Sequence, residues 1–138
     1  MDVIIRTKNS EEFLSECLQS IYHEVPLGRI ILIDAGSTDR THQIASSFDK
    51  VDLYVKPELN LGQATKFGFS KAKTEWVAVI DSDIILQKGW FDNMKKYMDK
   101  ADAVEGCRIE HYRLETRPEC KKSRYGVFGQ TLVRRDQY

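Results

Sequence analysis

The sequence predicts an α/β fold of three layers, with helices on both sides of a mostly parallel sheet. Three observations lead there. Short apolar runs rich in β-branched residues alternate along the chain with stretches of helical periodicity. Most of those runs are nearly continuous in apolar residues, as in buried strands. Polar clusters stand directly after them, at the strand ends where ligands of open α/β sheets bind.

The elements follow in order. Residues 2–6, DVIIR, read as a strand. Asn9 or Ser10 can cap a helix, with Glu11 and Glu12 well placed in its first turn and Phe13, Leu14, Cys17, Leu18, Ile21 and Tyr22 on one apolar face. Pro26 and Gly28 end it, and RIILID at 29–34 is the second strand, followed by AGSTDRT and a helix over about 40–48. A short strand at 52–55 is stopped by Pro57, and NLGQATKFGFSKAK (60–73) contains the third helix. TEWVAVI (74–80) carries the strongest strand signal, and a helix over 89–100 would use Trp90, Met94, Tyr97 and Met98 as its inner face. From Ala103 the rhythm changes: AVEGCRI and YGVFGQTLV (125–133) read as strands around a charged, irregular stretch. Repeated strand–helix–strand order implies parallel pairing through right-handed crossovers.

The totals suit one domain. The chain has 138 residues, 41% of them hydrophobic, enough for a real core. Lys+Arg and Asp+Glu are both 21, which argues against a generally basic nucleic-acid binder. No apolar run reaches the roughly 20 residues of a bilayer span, and MDVIIRTKNS lacks the layout of a secretory signal. Cys17, Cys107 and Cys120 are odd in number and without CxxC spacing, which fits reduced thiols of a cytoplasmic protein better than a disulfide framework or a zinc site. His23, His42 and His111 have no ligand-like spacing and read as surface or structural residues.

The strand ends carry the chemistry. Strand one closes in Arg6, Thr7, Lys8 and Asn9, strand two in Asp34, Gly36, Ser37, Thr38 and Asp39, and strand four in Asp81, Ser82 and Asp83. Two carboxylates interrupting VAVIDSDIIL are costly in an apolar setting unless paired or bound to a cation. At a strand end they suit a hard divalent ion completed by substrate phosphates; the plainer alternative is a turn cap followed by a solvated loop. AGSTD offers a tight turn at Gly36 with capping residues after it, and Asp34 either accepts hydrogen bonds from a base or ribose or simply closes an ordinary connection. Lys66, early in the third helix, either reaches a phosphate or base or is a solvated helix residue. Neither GxGxxG nor GxxxxGK[ST] occurs, which speaks against a dinucleotide fold and a P-loop.

Taken together, VIIRTKNSEEFLSECLQSI, ILIDAGSTDRT and NLGQATKFGFSKAKTEWVAVIDSD resemble, in order and spacing, the N-terminal half of family 2 glycosyltransferases of the GT-A (Rossmann-like) fold. The resemblance covers residues 2–90 closely and GVFGQTLVRRD more loosely. It implies sugar transfer from a nucleotide-diphosphate donor, a UDP- or GDP-sugar, to an acceptor hydroxyl with inversion, on a saccharide or lipid-linked acceptor. It implies nucleotide contacts from Thr7 with its neighbours Arg6 and Lys8, from Asp34 at the base, from Lys66, and from Asp81 near the ribose. Asp83 would bind the metal, Mn²⁺ or Mg²⁺. Residues 1–102 would then form the nucleotide-binding part of a single domain and 103–138 the start of the acceptor-side β region. The sugar nucleotidyltransferases, which also use an α/β sheet and a metal, fit less well, because RTKNSEE after strand one has no glycine.

Family members place a general base downstream, commonly in a Glu-Asp pair. After Asp83 the chain has Asp92, Asp99, Asp102, Glu105, Glu110, Glu115, Glu119 and Asp136, but no such pair, so no base is assigned. Because family domains are usually longer, the expectation is a chain truncated at its C-terminus or a base supplied elsewhere, rather than an acid such as Glu105 or Glu110 in its place. The alternative is a nucleotide-sugar-binding domain without transfer. The stretch from Arg108 to Arg124, with six basic residues against three acids, either flanks an anionic acceptor or lipid surface or is a solvated loop. A cytoplasmic site, peripheral to the membrane face, and self-association through an uncovered sheet edge complete the expectations.

Overall fold

The computed structural model describes residues 1–106 and 130–137. Its elements run β1 (Asp2–Thr7), α1 (Leu14–Glu24), β2 (Arg29–Asp34), α2 (Thr41–Ser46), β3 (Val51–Val55), α3 (Leu61–Lys71), β4 (Trp76–Asp81), α4 (Trp90–Met94), β5 (Ala103–Glu105) and β6 (Gln130–Arg134). Short 3₁₀ turns follow α4 and β6. The six strands form one sheet in the order β3-β2-β1-β4-β6-β5. β1 to β4 pair in parallel, while β6 lies antiparallel to both β4 and β5.

Side-chain alternation along the strands splits the core into two layers. Val3, Ile5, Ile30, Leu32, Ala78 and Ile80 face α1, α2 and α4. Ile4, Ile31, Ile33, Val77 and Val79 face α3, which contributes Ala64 and Phe69, with Ala72 just past its end. These strands are apolar at consecutive positions because helices cover both sides of the sheet. α3 sits very close to β1: a Cβ on Gly68 would fall 2.7 Å from Cγ2 of Ile4, so only glycine allows that approach. Asn60 starts α3 with a capping box, its side chain accepting from the Gln63 N–H while Gln63 accepts from the Asn60 N–H.

Three local expectations are corrected. α1 begins at Leu14, after a turn in which the Ser10 carbonyl accepts the N–H groups of Phe13 and Leu14, and no side chain caps it. Asn9 and Ser10 bond sideways to other loops instead. The helix expected over 89–100 is only the five residues of α4 and a 3₁₀ turn. Trp90 and Met94 are buried, but Tyr97 is 56% exposed, so the apolar face is too short to hold a longer helix. β3 starts at Val51, one residue early. Of the two C-terminal strand segments, 103–105 and 130–133 are strand as expected, and the remainder of each from 107 to 129 lies outside the described residues. Among the described residues no helix is long and apolar enough to cross a membrane.

Candidate functional site at the sheet's switch point

The chain runs outward from β1 through β2 to β3, then crosses back to place β4 on the other side of β1. The carboxyl ends of β1 and β4 therefore flank a switch point, where an open α/β sheet leaves a crevice. Register brings the strand-end residues together: Thr7 lies opposite Asp34 and Arg6 opposite Asp81.

Arg6 forms an ion pair with Asp81, and its Nη1 also donates to Thr65 Oγ1 of α3 at 3.3 Å. The two charged side chains are 11% and 33% exposed. A parallel sheet thus joins charges 75 residues apart in sequence, and pairing lowers the cost of holding them half-buried. Thr7 is buried, and its hydroxyl has no hydrogen-bond partner among the described residues, although its carbonyl accepts from Ala35 N–H.

Asp34 is fully buried and organises the loop that follows it. Its Oδ2 accepts from Gly36 N–H at 2.9 Å, Ser37 N–H at 2.8 Å and His42 Nε2 at 2.8 Å, and Oδ1 accepts from the Ser37 hydroxyl. Gly36 makes the turn possible with φ of 84°. Burial pushes the Asp34 carboxyl up, but the Ser37 hydroxyl, His42 and the two N–H groups outweigh it and hold it below the usual carboxylate range. At Asp39, desolvation is likewise outweighed by donors from Thr41 and Glu11, which lower its carboxyl.

After Asp81 the chain turns, with Ile84 N–H donating to the Asp81 carbonyl at 3.1 Å. Asp83 is exposed on this turn, and Ser82 between the two aspartates is buried. α1 supports the turn from below. The Cys17 thiol donates to the Asp81 carbonyl at 3.6 Å, Ser20 Oγ accepts Leu86 N–H at 3.0 Å, and Glu24 accepts Gly89 N–H at 2.6 Å. Burial first, then the Asp83 and Asp81 carboxylates, push the Cys17 thiol up to about 12 against the opposing Ile84 N–H. It therefore stays protonated and able to donate.

Among the expected residues, Thr7, Asp34, Asp81 and Asp83 stand on one rim. Lys66 lies on the exposed side of α3, beside the Thr65 that bonds Arg6. The sequence reading missed the Arg6–Asp81 pair, the His42–Asp34 bond and the Thr65 contact. The first two were hidden because strand register and loop path, not spacing, decide them. Among the described residues no cluster of three His, Cys, Asp or Glu side chains forms a closed metal cage. A divalent cation at this turn would have Asp83 as its exposed carboxylate ligand and would need substrate phosphates and water to complete its shell.

An open α/β sheet with an acidic turn at its switch point is the frame of the GT-A glycosyltransferases, and solved structures of that class match it. The UDP-GlcNAc complex of residues 1–349 of S. aureus TarS superposes with a TM-score of 0.72 over 97% of this chain, 45% of that chain and 24% identity. Glucosyl-3-phosphoglycerate synthase from Mycobacterium tuberculosis, bound to Mn²⁺, UDP and product, gives 0.71 over 98% and 56% at 20% identity. The chain belongs to glycosyl transferase family 2, whose family model matches residues 2–137. Curated relatives include glycosyltransferase GlyG of Streptococcus pneumoniae, 28% identical over 75% of this chain and 36% of its own length. An uncharacterised glycosyltransferase of Mycobacterium bovis is 34% identical over 77% and 47%. The chain thus spans less than half the length of these curated relatives.

Proposed function

We propose that the chain is the donor-binding part of an inverting glycosyltransferase that moves a sugar from a UDP- or GDP-sugar to an acceptor hydroxyl. The observation that carries this reading is the convergence of Thr7, the Arg6–Asp81 pair and the Asp83 turn at the switch point of a family 2 domain. The buried, unpartnered hydroxyl of Thr7 is suited to bond a ligand atom. The loop held by Asp34 borders the base, Asp81 approaches the ribose, and Lys66 supplies a cation near the phosphates. Asp83 would hold a divalent metal, Mn²⁺ or Mg²⁺, which would supply positive charge to the nucleoside diphosphate leaving group. Mn²⁺ accompanies nucleotide in two structural relatives, the glucosyl-3-phosphoglycerate synthase complex and the GDP-Man complex of a Pyrobaculum calidifontis mannosyltransferase.

The acceptor is a saccharide or a lipid-linked sugar, met in the cytoplasm or at the cytoplasmic membrane face. A second reading, binding without transfer, is favoured by three of the five described acids after Asp83: Asp92 is held by Lys95 and Asp102 by Arg134, and Glu105 sits on the outermost strand. Calorimetric titration of UDP and GDP with and without Mn²⁺ tests the donor site, and an assay of UDP- and GDP-sugar hydrolysis and transfer separates the two readings. Metal-dependent binding of one nucleotide, reduced at least tenfold by Asp83→Ala, is the expected result. Absence of binding to either nucleotide overturns the proposal, and binding without donor hydrolysis or transfer selects the second reading.

A further inference from the structure

Three loops border the switch point, and the exit of β1 touches both of the others. Asn9 holds the left-handed φ of 50°, which asparagine tolerates better than most residues. From there its N–H donates to Ser37 Oγ at 2.7 Å and its Oδ1 accepts Thr38 N–H at 2.9 Å. Ser10 turns the other way. Its N–H donates to Thr41 Oγ1 at 2.9 Å, and its hydroxyl lies 2.8 Å from the hydroxyl of Ser82, the buried residue between the two aspartates. The Ser37 hydroxyl in turn donates to Asp34. Two hydrogen bonds therefore lead from the Asp34 carboxylate through Ser37 to Asn9, and from its covalent neighbour Ser10 a third reaches Ser82.

This path crosses the sheet the short way, because β1 lies between β2 and β4. Asn9, Ser10 and Ser82 are not among the residues given a ligand contact above. We infer that Asn9 and Ser10 form a strap of positioning residues: Ser10 sets the Asp83 turn through Ser82, and Asn9 sets the 35–39 loop through Ser37 and Thr38. The inference rests on the donor-site reading above and says how that site is preorganised before nucleotide and cation arrive.

The split between the two halves of the strap makes it testable. In calorimetric titrations of UDP and GDP, Ser10→Ala and Ser82→Ala should each cut the gain in affinity that Mn²⁺ confers by roughly three- to tenfold, the range of one lost hydrogen bond. Affinity without metal should stay at the wild-type value. The double variant should be no worse than either single one, since both remove the same bond. Ser10→Thr, which keeps the hydroxyl, should restore the Mn²⁺ gain. Asn9→Gly, which keeps the backbone free to hold φ of 50° but removes the side chain, should weaken nucleotide binding without metal.

A fall in melting temperature with the Mn²⁺ gain intact would reduce the strap to a purely structural feature and overturn the inference. Additive losses from Ser10→Ala and Ser82→Ala would do the same. Wild-type protein that binds neither nucleotide overturns the donor-site reading itself, and the strap with it, an outcome distinct from intact binding that the variants leave unchanged.

Discussion

At the scale of single residues, the rim is built from groups whose ionisation the fold has chosen. Asp34 is held below the ordinary carboxylate range of about 3.9 by the donors around it. The stabilisation it gives is complete above that value and is lost as the pH falls through the lower folded one. Asp34→Asn, which presents an amide to N–H donors, is expected to cost about 2 kcal/mol at pH 7. In urea titrations the gap to wild type should close as the pH drops below 4; a gap independent of pH would show that the charge is not what matters. Cys17 behaves in the opposite sense. With its thiol pushed up to about 12 and its side chain fully buried, it should resist maleimide at pH 8 in the folded protein and react after unfolding, as peptide mass spectrometry would show. That Asp34 and Asp83 stand where strands end was legible in the sequence, because acids there interrupt apolar runs. That Arg6 meets Asp81 was not, since register is set by the whole sheet.

At the scale of elements, α3 shows how a helix can be positioned by a missing atom. Gly68→Ala gains about 1 kcal/mol of helix propensity, yet the new methyl must displace Ile4, which is fully buried. Overpacking of that kind costs about 1–3 kcal/mol, so the variant should melt at a lower temperature than wild type in calorimetry. If it melts higher, α3 has room to move and its contact with β1 is loose. The helices whose apolar residues recur over three turns were readable from the sequence, α1 and α3 among them. α4 was overestimated, because WFDNMKKYM has helical spacing but only Trp90 and Met94 are buried, Phe91 and Met98 pack partly and Tyr97 is exposed. The start of α1 was missed for a related reason: Asn9 and Ser10 are good capping types, and the neighbouring loops compete for them.

At the scale of the whole molecule, the proposed donor site belongs to no single element, so ligand should stabilise the entire domain. UDP with Mn²⁺ at a hundred times its dissociation constant is expected to add about 2.7 kcal/mol, a rise of roughly 8 °C in melting temperature that neither Mn²⁺ alone nor Asp83→Ala with UDP should reproduce. The alternation of strands and helices made the parallel half of the sheet legible, whereas the reversed direction of β6 leaves no mark in its own residues. The crossing from β3 back to β4 also has a consequence in time. On the ribosome, β1 and β2 are made long before β4, so one flank of β1 offers its amides and carbonyls to any passing strand until residues 76–81 emerge. At roughly 5–20 residues per second that interval lasts seconds, far longer than a hairpin takes to form. The last strand to be inserted beside β1 is also the one that brings Asp81 to Arg6, so a nascent chain caught by a wrong partner at this edge would be caught before it had a site at all.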